Sequence, residues 1–228
     1  MSLPDWVGPV LEYMLEVGLK GTLQIAAISL TGSVLIGVTL GTLLTIRFLP
    51  TRALIRLYIE IWRGLPILVT IFVVFFLLPV ISPQLRFDAL TSAAIALTLW
   101  GSAQVAEATR GAVQSIPREQ HDAAAALGFG WVGRHSFVIL PQALRRLLPP
   151  LVGLLVNIIQ NTTIAQVIGA PELLESAERS VERLAAPTPI GIGEVKAVPI
   201  YATVMVIFFL ISFPLTRFAA YLERRLVA

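Results

Sequence analysis

Five apolar runs dominate this chain, and each is close to the roughly 20 residues a helix needs to cross a bilayer. They extend over Gly18 to Ile46, Ala53 to Val80, Ala89 to Ala112, Leu147 to Ile168 and Val198 to Tyr221. Runs of that length leave little freedom, because backbone amides in hydrocarbon must be satisfied within the segment itself. The expectation is an all-α integral membrane protein with five transmembrane helices. Composition agrees: 56% of residues are hydrophobic and only 14% charged, with a mean hydropathy of +0.82, where soluble domains carry about 25% charged residues. Residues 1–228 read as one transmembrane domain, with room for little beyond the spans and their connections. The first run does not resemble a cleaved leader, being long and preceded by Asp5, Glu12 and Glu16 instead of basic residues. Gly32, Gly37 and Gly41 are expected to form a close-packing face on the first helix.

Basic residues orient the spans. Arg47, Arg52 and Arg56 flank the first connection, Arg110, Arg118, Arg134, Arg145 and Arg146 lie in or beside the third, and Arg217, Arg224 and Arg225 close the last span. The alternate connection is acidic or balanced, with Glu172, Glu175, Glu178 and Glu182 opposed by Arg179 and Arg183. The positive-inside rule then places the N-terminus outside and the C-terminus inside. Net charge is +3, which in a membrane chain reflects this asymmetry and does not point to nucleic acid.

The third connection, about residues 113–146, carries the most specific signal. From Gln120 to Pro149 it reads QHDAAAALGFGWVGRHSFVILPQALRRLLP. The alanine-rich stretch Asp122 to Leu127 favours a helix with an acidic residue in its first turn, and Gly128 is suited to end it. Asp122, Ala123 and Ala124, then Gly128 after three residues, then Val138, Leu140 and Pro141 follow the E-A-A, Gly, I-x-L-P pattern. Asp stands for Glu and Val for Ile. The segment resembles the cytoplasmic coupling loop of ATP-binding-cassette importer permeases. YIEIWRGLPILV at Tyr58 to Val69, AEATR at Ala106 to Arg110, QSIPR at Gln114 to Arg118 and QNTTIAQVIGAPE at Gln160 to Glu172 extend the likeness to the polar amino acid subfamily, over about Tyr58 to Leu174.

The resemblance implies a bacterial inner-membrane permease that performs no bond chemistry. It implies a second permease chain, identical or homologous, and an extracytoplasmic amino-acid-binding protein. It also implies two cytoplasmic ATP-binding subunits that hold the ATP and Mg, gripping the helix at Asp122 to Gly128. The chain has no G-x-x-x-x-G-K-[ST] phosphate loop, so no cofactor is expected within it. With no cysteine, thiolate metal sites and thiol catalysis are excluded. An ion-coupled secondary transporter would be expected to show discontinuous helices or inverted repeats, and neither is read here. An intramembrane hydrolase would need a positioned nucleophile and base, and there is no G-x-S-x-G.

Polar residues within the spans are candidates for the translocation path: Trp100, Ser102 and Gln104 on the third span, and Asn157, Gln160, Asn161, Thr162 and Thr163 on the fourth. Amides are costly in hydrocarbon and should face a cavity or another helix. Each could instead be an interhelical hydrogen bond. The subfamily often has a lysine and an acid at the positions of Gln160 and Asn161. Glu60 with Arg63, and Glu107 with Arg110, have the i, i+3 spacing of helical charge pairs, serving as a gate or as structural ties. His121 and His135 read as solvated loop histidines without metal-ligand spacing. Glu172 to Arg183 reads as an amphipathic helix lying on the outer membrane surface, meeting the binding protein, or simply solvated. The Pro- and Gly-rich stretch Ala185 to Pro199 reads as an irregular loop.

Overall fold

In the computed structural model, residues 4–46, 48–188, 191–192 and 195–226 are described; Arg47, counted in the orientation argument, and parts of the 185–199 loop lie outside them. Among the described residues, eight helices longer than a single turn form: α1 Val7–Leu43, α2 Leu49–Gly64, α3 Ile67–Ile81, α4 Ala89–Gln114, α5 Arg118–Ala126, α6 Trp131–Ile168, α7 Leu173–Ala185 and α8 Ala197–Leu226. The expected irregular loop contains a two-residue antiparallel ladder, β1 Pro187–Thr188 with β2 Gly191–Ile192.

Four helices, α1, α4, α6 and α8, are long and apolar enough to cross a membrane, or five spans if α2 and α3 together make one. The continuous second span expected from Ala53 to Val80 is therefore corrected. Leu65 is extended (φ −81°, ψ 136°) at the end of α2. Pro66 disfavours the helical region for the residue before it and has no N–H to donate. The sequence reading of one unbroken helix thus gives way to two helices, α2 and α3. α1 begins at Val7, about three turns before the expected start at Gly18.

The chain divides into two compact units. The first comprises the chain through Ser29, Ile67–Leu97 and Asn157–Pro214. Its core packs Met14 of α1, Leu173 and Ala177 of α7, and Ile200 and Val204 of α8, and α3 lies against the last, 3-10 turns of α6, Thr162–Ile168. The second comprises Leu30–Pro66, Thr98–Val156 and the chain from Leu215. Its α1 and α4 segments meet closely: a side chain at Gly37 or Gly41 would overlap Val105, or the Ala106 carbonyl and Thr109. Small residues there let the two backbones approach, as membrane helices require where lipid supplies no hydrophobic drive.

The helix α7 is not a solvated surface element. Leu173, Glu175, Ser176, Ala177 and Ser180 form its buried face, while Arg179, Glu182 and Arg183 stay exposed. Glu172 caps it, its carboxylate accepting from the N–H groups of Leu174 (2.9 Å) and Glu175 (2.7 Å). Burial outweighs these bonds and raises the Glu172 carboxyl from 4.5 to about 7. The folded chain thus binds this proton more tightly than the unfolded one, so stability is highest below the unfolded value and falls as pH rises through about 7. Melting curves of the purified protein between about pH 5 and pH 8 should decline with pH, and Glu172→Gln should flatten that decline. An unchanged slope in the variant would assign the pH dependence elsewhere.

Candidate functional site

The connection between α4 and α6 is built as a small folded module. Val113 and Ile116 pack on Ile139 and Ala143, with Val138 and Leu140 against them. Arg146 donates to the Ser115 carbonyl (2.7 Å) and hydroxyl (2.9 Å), and Gln142 donates to Gln120 (3.2 Å). On this base sits α5. It starts earlier than the expected Asp122, so Glu119 occupies the first turn and Asp122 lies mid-helix; the proposed dipole role therefore passes to Glu119.

Gly128 ends α5 as expected from its residue type. Its φ is +82°, its N–H bonds the Ala125 carbonyl (2.9 Å), and the Phe129 N–H reaches back to the Ala124 carbonyl (3.1 Å). These two bonds constitute a Schellman termination. Ala124 is buried, whereas Asp122, Ala123, Ala125 and Ala126 face outward. Leu127, Val132 and Phe137 beside them are 78%, 68% and 73% exposed. Pro141 is also exposed and Leu140 half-buried. The result is a small-residue helix with an apolar fringe, left uncovered by the chain itself.

The two histidines differ: His121 is half-buried, whereas His135 is not the solvated loop residue expected. His135 is 4% exposed in a π-turn, His135–Ile139, within α6. Its ring stacks on Trp131 with centroids 4.2 Å apart. Nδ1 lies 2.8 Å from the Trp131 carbonyl and Nε2 3.1 Å from the Thr45 hydroxyl. Nδ1 is thus the natural proton bearer in the neutral ring. His121 is half-buried with its ring 6.2 Å from that of His135. Burial, then the Arg134 guanidinium, hold His121 below the ordinary imidazole range against the pull of Asp122. The signal missed in the sequence was the four-residue spacing Trp131, His135, Ile139, which puts all three on one inward row.

The charge pairs separate. Arg110 holds Glu107 in a two-pronged pair (2.5 and 3.0 Å) and also donates to Gln114 (2.6 Å). Glu60 and Arg63 are both exposed and, among the described residues, form no ion pair, correcting that expectation. An exposed pair gains little over solvation and loses side-chain freedom. Glu60 instead lines a recess with Arg56, Glu107 and Arg110.

The polar path candidates fall into both units. Ser102, fully buried, donates to the Leu99 carbonyl (3.0 Å) and sits 2.6 Å from the Tyr58 hydroxyl; it is an interhelical tie. Trp100 and Gln104 are half-buried. In the other unit Asn161, Thr162 and Thr163 bond carbonyls of Asn157, Ile159 and Gln160 on their own helix. Asn157 and Gln160 expose their amides from an otherwise apolar helix. No group of three or more His, Asp or Glu side chains among the described residues is placed to hold a metal.

Residues 33–228 match the family described as the binding-protein-dependent transport system inner membrane component. The chain belongs to that family. It is 33% identical over 224 residues, 97% of each chain, to the glutamine transport system permease protein GlnP of Escherichia coli (strain K12). It is 32% identical over 209 residues, 92% of this chain and 91% of the other, to the probable glutamine ABC transporter permease protein GlnM of Bacillus subtilis (strain 168). Its fold superposes with a TM-score of 0.80 on a crystal structure of an amino acid ABC transporter with histidines, at 25% identity, covering 99% of this chain and all of that one. The MetNI methionine ABC transporter in an inward-facing form shares the fold at 18% identity, with a TM-score of 0.74 over 96% of this chain and 99% of that one. The chain is therefore a permease subunit of an ABC transporter and not an enzyme, and ATP hydrolysis belongs to a separate subunit. Family membership decides against the ion-coupled transporter despite the break at Leu65–Pro66.

Proposed function

We propose that this permease imports a polar amino acid of the glutamine type, with its N-terminus outside, its C-terminus in the cytoplasm, and α5 as the ATPase-docking helix. The supporting observation is the uncovered α5 surface, closed at Gly128 and held on a packed base between two membrane-length helices. Two such permeases, two ATPase subunits carrying ATP and Mg, and an extracytoplasmic binding protein make up the transporter in the bacterial inner membrane. Closure of the ATPases moves α5 and Val138 to Pro141 with it, and the packed module passes that motion to α4 and α6. Relatives named for glutamine favour a neutral amide substrate, as does the lack of unpaired charge among the path candidates.

Topology and docking are tested together. Cysteine at Ser136, which is exposed, should react with impermeant reagents only from the cytoplasmic side and be shielded when the ATPase is bound. The opposing probe belongs at Glu182, exposed on α7, because Ser176 is buried. Reversed labelling would overturn the orientation, and unshielded Ser136 the docking surface.

The path is tested by Gln104→Leu and Asn157→Leu. Removal of hydrogen-bonding groups from a substrate route should reduce uptake by about tenfold or more while assembly with the ATPase persists. A lowered melting temperature with unchanged uptake would instead make these amides helix ties, worth about 0.6 kcal/mol each.

A further inference from the structure

An open cleft of about 820 Å³ lies between the end of α1, the start of α2, the end of α4, α5 and the start of α6. Arg52, Arg118 and Arg134 line it together with His121, His135 and Trp131, against a single carboxylate, Asp122. None of the three arginines has an ion pair among the described residues. The Nε of Arg134 and the indole Nε1 of Trp131 are buried without a hydrogen-bond partner, so donors in the wall are left unsatisfied. Such donors are expensive unless an acceptor arrives.

The depth of the cleft narrows the choice of acceptor. It opens where two apolar helices stop, at Leu43 and Gln114, beside the ends of the spans read at Ile46 and Ala112, a level that the membrane-spanning reading of α1 and α4 assigns to the boundary between hydrocarbon and headgroups. Leu44, Ile46 and Val113 give its wall an apolar part, beside the polar Thr45 and Gln114, and a Trp at such a level suits that boundary. A phosphate-bearing amphiphile matches both halves of the lining. We propose that this cleft binds the phosphate of an anionic phospholipid headgroup. Basic pockets between membrane helices recognise such groups by charge and by donors fixed in place. Arg134 and Arg52 supply the charge, and Trp131 flanks the glycerol region. The inference rests on the membrane-spanning reading of α1 and α4 and not on the identity of the transported solute; Arg118, His121 and Asp122 of α5 belong both to the cleft wall and to the proposed docking helix.

The test uses the permease purified with its ATPase subunit. Native mass spectrometry would follow titration with dioctanoyl-phosphatidylglycerol, dioctanoyl-phosphatidylcholine and inorganic phosphate. The unmodified complex should bind the anionic lipid in preference to the zwitterionic one, and inorganic phosphate should not displace it. Arg52→Gln and Arg134→Gln should each weaken phosphatidylglycerol binding about fivefold, while Arg145→Gln, outside the cleft, should not. Equal binding of the two lipids, or undiminished phosphatidylglycerol binding in the Arg52→Gln/Arg134→Gln variant, would overturn the site. Displacement by inorganic phosphate at matching concentration would assign the cleft to a free phosphate and overturn the lipid. If the variants fail to assemble, the titration of the unmodified complex decides. ATPase retention, read in the same spectra, keeps a failure of docking separate from a failure of lipid binding.

Discussion

Gly128→Val is expected to leave the permease in the membrane and to abolish ATP-driven uptake. At φ +82° a β-branched residue is in the left-handed region, which costs about 1–3 kcal/mol for a residue other than glycine. Steric crowding is not the cause, since a Cβ at this position would meet nothing within 4 Å. The strain acts on the termination itself, the bonds from Gly128 to Ala125 and from Phe129 to Ala124. Relaxing it by even about 1.4 kcal/mol would shift the turn tenfold toward open forms. The chain would then extend α5 or swing Leu127 away from the proposed docking surface. Because the origin is conformational, Gly128→Asn, which tolerates positive φ, should retain most uptake. Asp122→Lys should be harmful only through loss of a basic partner on the ATPase, as its mid-helix position leaves little dipole effect. Uptake and substrate-stimulated ATP hydrolysis, measured with ATPase retention, separate the possibilities. Full activity in Gly128→Val would remove α5 from the coupling role.

How much of this was legible depended on range. Spans were readable because a bilayer imposes a length and a polarity on each helix, and Gly128 because one residue type suits one backbone region. Gly37 and Gly41 were identifiable as a packing face from their spacing, although the partners Val105 and Ala106 were not. The break in the second span was written in Leu65–Pro66 as well, but a long apolar run on both sides masked it. Other features depend on contacts that no local pattern specifies. The π-turn at His135 shifts the register of α6 and brings the ring against Thr45, ninety residues away. Glu172 looked like one of four surface acids, yet its position beside Gly21 of α1 makes it a buried cap. Ser102 looked like a path residue and is paired to Tyr58. Exposed Glu60 and Arg63 had suitable spacing for an ion pair, but spacing permits a contact without favouring it over water.

The contact of α1 with the start of α7 should be the least tolerant point in the fold. A Cβ on Gly21 would overlap the carbonyl oxygen of Pro171 and approach its carbon to 2.9 Å. Both atoms are backbone, so no rotamer can relieve the overlap. The same short stretch already holds the Leu173 N–H on the Thr22 hydroxyl (3.1 Å) and the Glu172 cap. Moving α7 outward would break the bond from Leu173 to Thr22 and open the core at Met14, Leu173 and Ile200. Overpacking of this kind costs about 1–3 kcal/mol where side chains yield, and more where backbone must move. Gly21→Ala is therefore expected to lower the yield of monodisperse complex and its melting temperature sharply, with Gly21→Val worse. Gly153 supplies the comparison: it is helical and a Cβ there meets nothing within 4 Å. Gly153→Ala should be neutral or stabilising by up to about 1 kcal/mol. If Gly21→Ala melts with the unmodified protein, the α1 to α7 contact cannot be as close as its geometry requires. If it assembles but loses uptake alone, the contact serves transport and not folding.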